Sequence, residues 1–137
     1  MKNIKLIVYL SVLIFISCQT GKKEMSRGLP LSNQWIISNF ENQDTIPVVK
    51  NSIITIDEKG NTFNGNGACN TISGTIIRSG NTLKFTKIIA TRMACSNSEQ
   101  ETTFIKALKK TTNFKISGCE LFLFQGNKKI ATLESCR

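Results

Sequence analysis

The chain of 137 residues contains no histidine, one tryptophan, one tyrosine and two prolines. Without an imidazole there is no Ser-His-Asp or Cys-His arrangement, and a zinc site would need an all-cysteine ligand set. The one tyrosine, Tyr9, lies in an N-terminal apolar segment, so aromatics interleaved with basic residues for base stacking are scarce. Acidic residues number 9 against 18 basic ones. Asp57, Glu58, Glu99, Glu101, Glu120 and Glu134 fit turn, helix-cap and strand-edge positions better than the paired carboxylates of a glycosidase. There is no Cys-x-x-Cys, and Gly65-Asn66-Gly67 lacks the Lys and Ser/Thr of a phosphate loop. A tight turn or bulge is the use those glycines suit.

Long hydrophobic runs are also absent beyond the N-terminus. Lys2 and Lys5 precede an uncharged apolar stretch over residues 6–16, and Phe15-Ile16-Ser17-Cys18 then places a small residue before a cysteine. This is the pattern of a lipoprotein signal with cleavage before Cys18 and lipid attached to its thiol. About 12 apolar residues at a rise of 1.5 Å span roughly 18 Å, short of the roughly 30 Å of a bilayer core, which argues against a transmembrane anchor. Several acyl chains on one cysteine hold a protein stably on a membrane. Gln19 rather than Asp follows the cysteine, which favours the periplasmic face of the outer membrane.

The expected organisation is a signal peptide over residues 1–17, a flexible polar tether over 18–33, and one domain over 34–137. About one hundred residues suffice for one small core and not for two. Loss of Lys2 and Lys5 leaves 16 basic against 9 acidic residues, a net charge near +7. Export past the inner membrane argues against nucleic acid as the partner of that charge.

Within the domain the pattern is mostly strand. Apolar runs over 53–56 and 62–64 flank Asp57-Glu58-Lys59-Gly60-Asn61, a hairpin turn with glycine expected at the left-handed position. Residues 71–78 and 82–85 flank Ser79-Gly80-Asn81, and residues 121–124 and 129–133 flank Gln125-Gly126-Asn127-Lys128. Connections this short make antiparallel pairs. One segment departs from alternation: Ser98-Glu99-Gln100-Glu101 reads as a capping box, and Phe104, Ala107, Leu108 and Thr111 recur at helical spacing. Glu99 and Glu101 in the first turn and Lys109 and Lys110 in the last suit the helix dipole. The fold class is therefore α+β: a curved antiparallel sheet of about seven to eight strands with one helix inserted before the last three.

Trp35, then Gly67-Ala68-Cys69-Asn70, Gly74, Thr91-Arg92-Met93-Ala94-Cys95, Glu101 and Phe104 in the helix, and a closing hairpin from Gly118 to Leu123 follow one another in order. Together they resemble the META/HslJ family of bacterial envelope proteins over roughly residues 34–133. The resemblance implies the same strand-and-helix layout and a place in the bacterial envelope; the missing catalytic constellations make the expected role non-enzymatic, in envelope integrity or stress tolerance. Ala68 stands where many members carry a second glycine, and Cys119 and Cys136 lie outside the family pattern.

With Cys18 committed to lipid, Cys69, Cys95, Cys119 and Cys136 remain, an even number in an oxidising compartment. Four cysteines allow three pairings. A hairpin turning at Gly126-Asn127 sets Cys119 opposite about Glu134 and diagonal to Cys136, which leans towards Cys119 with Cys136 and Cys69 with Cys95. Loops of this size contribute roughly 3 to 3.5 kcal/mol each. The competing use of Cys95, which lies just before a helix start near Arg92, is as a redox thiol working with Cys69.

Lys106, Lys109 and Lys110 on the helix and Lys128 and Lys129 on the last hairpin form a cationic surface for anionic lipid or acidic envelope polymer. The resulting expectation is a monomeric, lipid-anchored binding module without cofactor or metal, with an unknown envelope protein or polymer as partner. A thiol-redox protein is the alternative, and an inhibitor of an envelope enzyme is a third reading. The mature protein should contain no free thiol. Alkylation of the denatured, unreduced protein, read by mass spectrometry, should modify none of the four cysteines, and label on any one of them would contradict the pairing.

Overall fold

The computed structural model describes residues 29–41, 48, 51–96 and 98–135. Cys18, Cys136 and the signal peptide expected over 1–17 lie outside the described residues. Among those described, eight strands and one helix follow the chain: β1 Gln34–Phe40, β2 Ile53–Asp57, β3 Thr62–Asn66, β4 Thr71–Ser79, β5 Thr82–Ala90, α1 Ser98–Lys110, β6 Asn113–Ser117, β7 Glu120–Gln125 and β8 Lys128–Glu134. The expected α+β layout is present, with the one helix ahead of the last three strands. Each strand pairs antiparallel with its neighbour in sequence, and β1 also pairs with β8, so the curved sheet closes into a barrel. Closure leaves no open sheet edge at β1 and β8.

Alternation fills the interior. Trp35 and Ile37, Ile54 and Ile56, Leu83 and Phe85, Leu121 and Leu123, and Ala131 and Leu133 are all buried, as a period of two requires of strands with one face inward. Where the alternation breaks, a bulge accounts for it. The register of β1 against β8 shifts between Ile37 and Asn39, which turns Phe40 rather than Asn39 into the core. There Phe40 meets Phe104 of the helix with ring centroids 6.3 Å apart. A second bulge lies in β5, where Lys87 at φ 51° is the extra residue opposite Gly74 of β4, whose backbone runs close to Phe63. A Cβ at Gly74 would lie 2.7 Å from the Phe63 ring and 2.7 Å from the Thr86 carbonyl oxygen.

The barrel is weakest between β5 and β6, which share the Cα pair Thr82 and Asn113. The Leu83 N–H donates to the Thr112 carbonyl at 3.1 Å and the Phe114 N–H to that of Asn81 at 3.0 Å. The connection between these two strands is α1, whose Phe104 and Leu108 are fully buried. The helix thus plugs the barrel where its own ladder is thin.

Three expectations need correction. The packed domain begins before Gln34: Leu31 is buried, its carbonyl accepts the Trp35 indole N–H at 2.9 Å, and the Asn33 carbonyl accepts the Ile56 N–H at 3.0 Å. Leu29 and Leu31 supply apolar surface that the polar reading of residues 18–33 overlooked. In the first hairpin the left-handed residue is Asn61, at φ 52°, rather than Gly60; asparagine tolerates that region better than other residues with a Cβ. In the third hairpin a bulge between Leu123 and Phe124 moves the register by one, so Glu120 faces Glu134 and the Ser135 N–H donates to the Cys119 carbonyl. Cys119 consequently sits opposite Ser135.

Candidate functional site

The motif residues converge at the end of the barrel where α1 begins. The β3–β4 loop turns tightly, with the Gly67 N–H donating to the Asn70 carbonyl at 2.7 Å. Asn70 is buried in that turn and connects three segments. Its side-chain oxygen accepts from the Met93 N–H at 2.7 Å and from the Thr91 hydroxyl at 3.0 Å, fixing the strand exit after β5. Its side-chain amide donates to Glu101 Oε1 at 2.8 Å. Thr91 in turn closes on β4, its hydroxyl accepting the Thr71 N–H at 3.1 Å.

Glu101 is the helix's contribution. Oε2 accepts the Asn70 N–H at 2.6 Å and the Cys69 N–H at 3.3 Å. The capping box expected over residues 98–101 is therefore not what this carboxylate forms. Both oxygens reach across to the loop, where two main-chain donors and one amide donor hold a charge more strongly than a single cap N–H would. Gly67 is required by the same contact, since a Cβ there would lie 2.8 Å from Glu101 Cγ.

Beneath the loop runs a buried relay. Gln100 Nε2 donates to Ser52 Oγ at 2.8 Å, and Ser52 Oγ donates to the Gly67 carbonyl at 2.8 Å. Asn51 Nδ2 donates to the Ala68 carbonyl at 2.7 Å, and the Ala68 N–H donates to Asn66 Oδ1 at 2.8 Å. Held on both sides, Ala68 adopts φ 136°, a conformation natural to glycine and strained for a residue with a Cβ.

A disulfide joins Cys69 to Cys95 with the Cα atoms 6.2 Å apart and a sequence separation of 26. By the chain-entropy estimate a loop of that size contributes about 3.5 kcal/mol. Cys119 is also disulfide-bonded; its expected pairing with Cys136 lies outside the described residues. Among the described residues, no three or more Cys, Asp or Glu side chains gather to hold a metal ion.

The remaining motif residues divide by burial. Trp35, Phe104 and Gly74 serve the core, whereas Arg92, Met93 and Ala94 are exposed, Met93 by 60%. Sequence reasoning missed Ser52, Asn51 and Gln100. Gln100 carried a readable signal: it precedes Phe104 and Leu108 at spacings of four, and a polar residue on a buried stripe needs a partner. Of the five surface lysines, Lys129 is engaged by Glu41 at 2.9 Å and lies 5.3 Å from the centre of the Phe122 ring. Lys109 is exposed on the helix, while Lys106, Lys110 and Lys128 gather around one cleft.

The META domain family model matches residues 29–136. No curated protein matches the chain. A solution structure of a protein from Burkholderia xenovorans is similar with a TM-score of 0.61 at 20% identity, covering 77% of this chain and 82% of that one. A crystal structure of a DUF4847 family protein from Bacteroides vulgatus gives 0.54 at 21% identity, covering 76% and 92%. A further solution structure gives 0.56 at 22% identity, covering 77% and 90%. At these identities the likeness is one of fold.

Two substitutions test the site in opposite directions. Glu101→Ala leaves three donors at the loop without their acceptor and should cost about 3 kcal/mol, lowering Tm by roughly 10–20 °C; a change under about 2 °C would show that the carboxylate does not hold the loop. Ala68→Gly removes the backbone strain and should gain about 1 kcal/mol, raising Tm by roughly 4–8 °C in the same thermal unfolding measurement.

Proposed function

The chain belongs to the META domain family, and we propose that it is a lipid-anchored, non-enzymatic binding module of the bacterial envelope. The observation that carries this reading is how the motif's polar groups are used. Glu101, Asn70 and Thr91 donate to and accept from one another and the backbone around them, so the groups a catalyst would present to substrate are spent on the architecture. Exposed instead are cationic side chains on a barrel with a disulfide across one end, a surface suited to recognition.

The lipoprotein pattern ending at Cys18 supplies the address, with the periplasmic face of the outer membrane as the favoured location. No helix among the described residues is long and apolar enough to cross a membrane. The thiol-redox alternative fares worse on physical grounds. Glu101 sits at the Cys69 N–H, and a negative charge there disfavours the thiolate that reduction of the bridge would release. Recognition of an envelope component by a monomeric module remains the reading these observations favour, with envelope integrity or stress tolerance as its purpose.

Metabolic labelling with palmitate tests the anchor directly. The wild-type protein should take up label at Cys18 and sediment with membranes, and Cys18→Ser should be unlabelled and soluble after cell disruption. Retention of the Cys18→Ser protein in membranes washed with high salt would overturn the lipid-anchor reading.

A further inference from the structure

We infer that the cleft between the last turns of α1 and the β7–β8 hairpin binds an anionic sugar unit of an acidic glycan, an inference that rests on the proposed role as an envelope-binding module. The cleft has a volume of about 200 Å³ and is lined by Lys106 and Lys110 from the helix and Lys128 from the hairpin, over Phe40, Ala107 and Ile130. Lys106 and Lys110 are one helical turn apart, a spacing at which like charges repel, and Lys128 adds a third. None of the three ammonium groups has a hydrogen-bond or ion-pair partner among the described residues. Glu41 also lines the cleft, but Lys129 engages it at 2.9 Å. A lysine in the last turn answers to the helix dipole, which accounts for Lys110. It does not account for Lys106, further back in the helix, or for Lys128, outside it. A bound anion would relieve the mutual repulsion of all three.

The rest of the lining selects the kind of anion. A cationic rim over an apolar floor suits a sugar ring bearing a carboxylate or phosphate, which presents a carbon face as well as a charge. The volume is below the roughly 300–1,000 Å³ typical of a site for a drug-sized molecule, so the cleft accepts one unit of a longer ligand. Across the turn formed by Gly126 and Asn127 lies a second depression of about 360 Å³, where Asn81, Asn113 and Asn127 surround Phe124. Amides both donate and accept hydrogen bonds, as neighbouring hydroxyl groups require, and Phe124 offers a flat apolar face. Lys115 also lines this second depression, so two neighbouring recesses, each with a cationic group beside apolar surface, suit consecutive units of an acidic polymer. A flat lipid surface would instead draw on outward lysines such as Lys109, with no need of a recess.

The test uses the mature protein isolated from envelopes, held in phosphatidylcholine nanodiscs where it carries lipid and in solution where it does not. Alginate oligosaccharides, a polyuronate, should bind, and the affinity should fall at least about tenfold between low salt and 0.5 M salt through screening; neutral dextran should not bind. Replacing the three cleft lysines together, K106Q/K110Q/K128Q, should weaken alginate binding at least tenfold, and N127D, on the second depression, about threefold or more. The control K59Q/K84Q/K87Q removes the same charge elsewhere and should change affinity less than threefold. All these lysines are exposed, and thermal unfolding of each variant checks that the fold is intact. Equal losses in control and cleft variants, no alginate binding, or preferential capture by vesicles of one part phosphatidylglycerol to three parts phosphatidylcholine would each overturn the inference. Alginate binding in vitro does not depend on where the cell places the protein, so this experiment and the palmitate experiment fail separately.

Discussion

The carboxylate of Glu101 joins parts of the chain that no sheet ladder joins. Strand pairing fixes each strand to its neighbours, but α1 enters between β5 and β6, where the ladder is thinnest. Its first turn would otherwise be held by packing and by the Gln100 bond to Ser52. Glu101 supplies what is missing: through Asn70 it ties the helix to the β3–β4 loop, and Asn70 ties the same loop to the segment leaving β5. The Cys69–Cys95 disulfide spans the same two segments covalently. The hydrogen bonds and the disulfide do different work, since the bridge restricts the unfolded chain while the carboxylate selects one loop conformation in the folded one. The strain at Ala68 is tolerated because both of its peptide groups are held on either side.

Local chemistry made much of the fold legible. Gly80 and Gly126 adopt positive φ in two hairpins where turn composition placed them, and the 3.6-residue spacing of Phe104, Ala107 and Leu108 gave the helix its buried face. The closure of β1 on β8 was not legible, because Ile37 and Leu133 are far apart in the chain and no turn announces their pairing. The bulges in β1, β5 and β8 were equally silent. They depend on which side chain must enter the core, which only the assembled barrel decides. Leu29 and Leu31 were absorbed into a polar tether because two isolated leucines carry no period.

At the candidate site the residue types were legible and their roles were not. Ser98-x-x-Glu101 satisfies the pattern of a capping box, and nothing local distinguishes a glutamate that folds back on its own helix from one that reaches a distant loop. The competition is decided by donors: the loop offers Glu101 two main-chain N–H groups and one side-chain amide, where a cap offers one. The relay through Gln100 and Ser52 follows the same logic, because a polar side chain on a buried stripe is costly until it is paired. What the motif specifies, on this account, is a way of closing one end of a barrel around a helix. Arg92, Met93 and Ala94 are its exceptions, since exposed side chains contribute little to that closure.

The closure also has a consequence at the far end of α1. A helix of 13 residues is about 20 Å long at 1.5 Å per residue, so fixing its first turn at Glu101 fixes the direction in which its last turn arrives. The other end is set where the Thr112 hydroxyl accepts the Gly126 N–H at 2.8 Å, placing the β7–β8 turn beside the helix terminus. Lys106 and Lys110 on one element and Lys128 on another are thereby held around one recess by contacts in which none of them takes part. Side chains with no structural duty, presented by a scaffold fixed at both ends, incur little ordering cost when a ligand binds. The family's loop motif and the lysine cleft thus stand in a causal order: the first positions the helix, and the positioned helix presents the second.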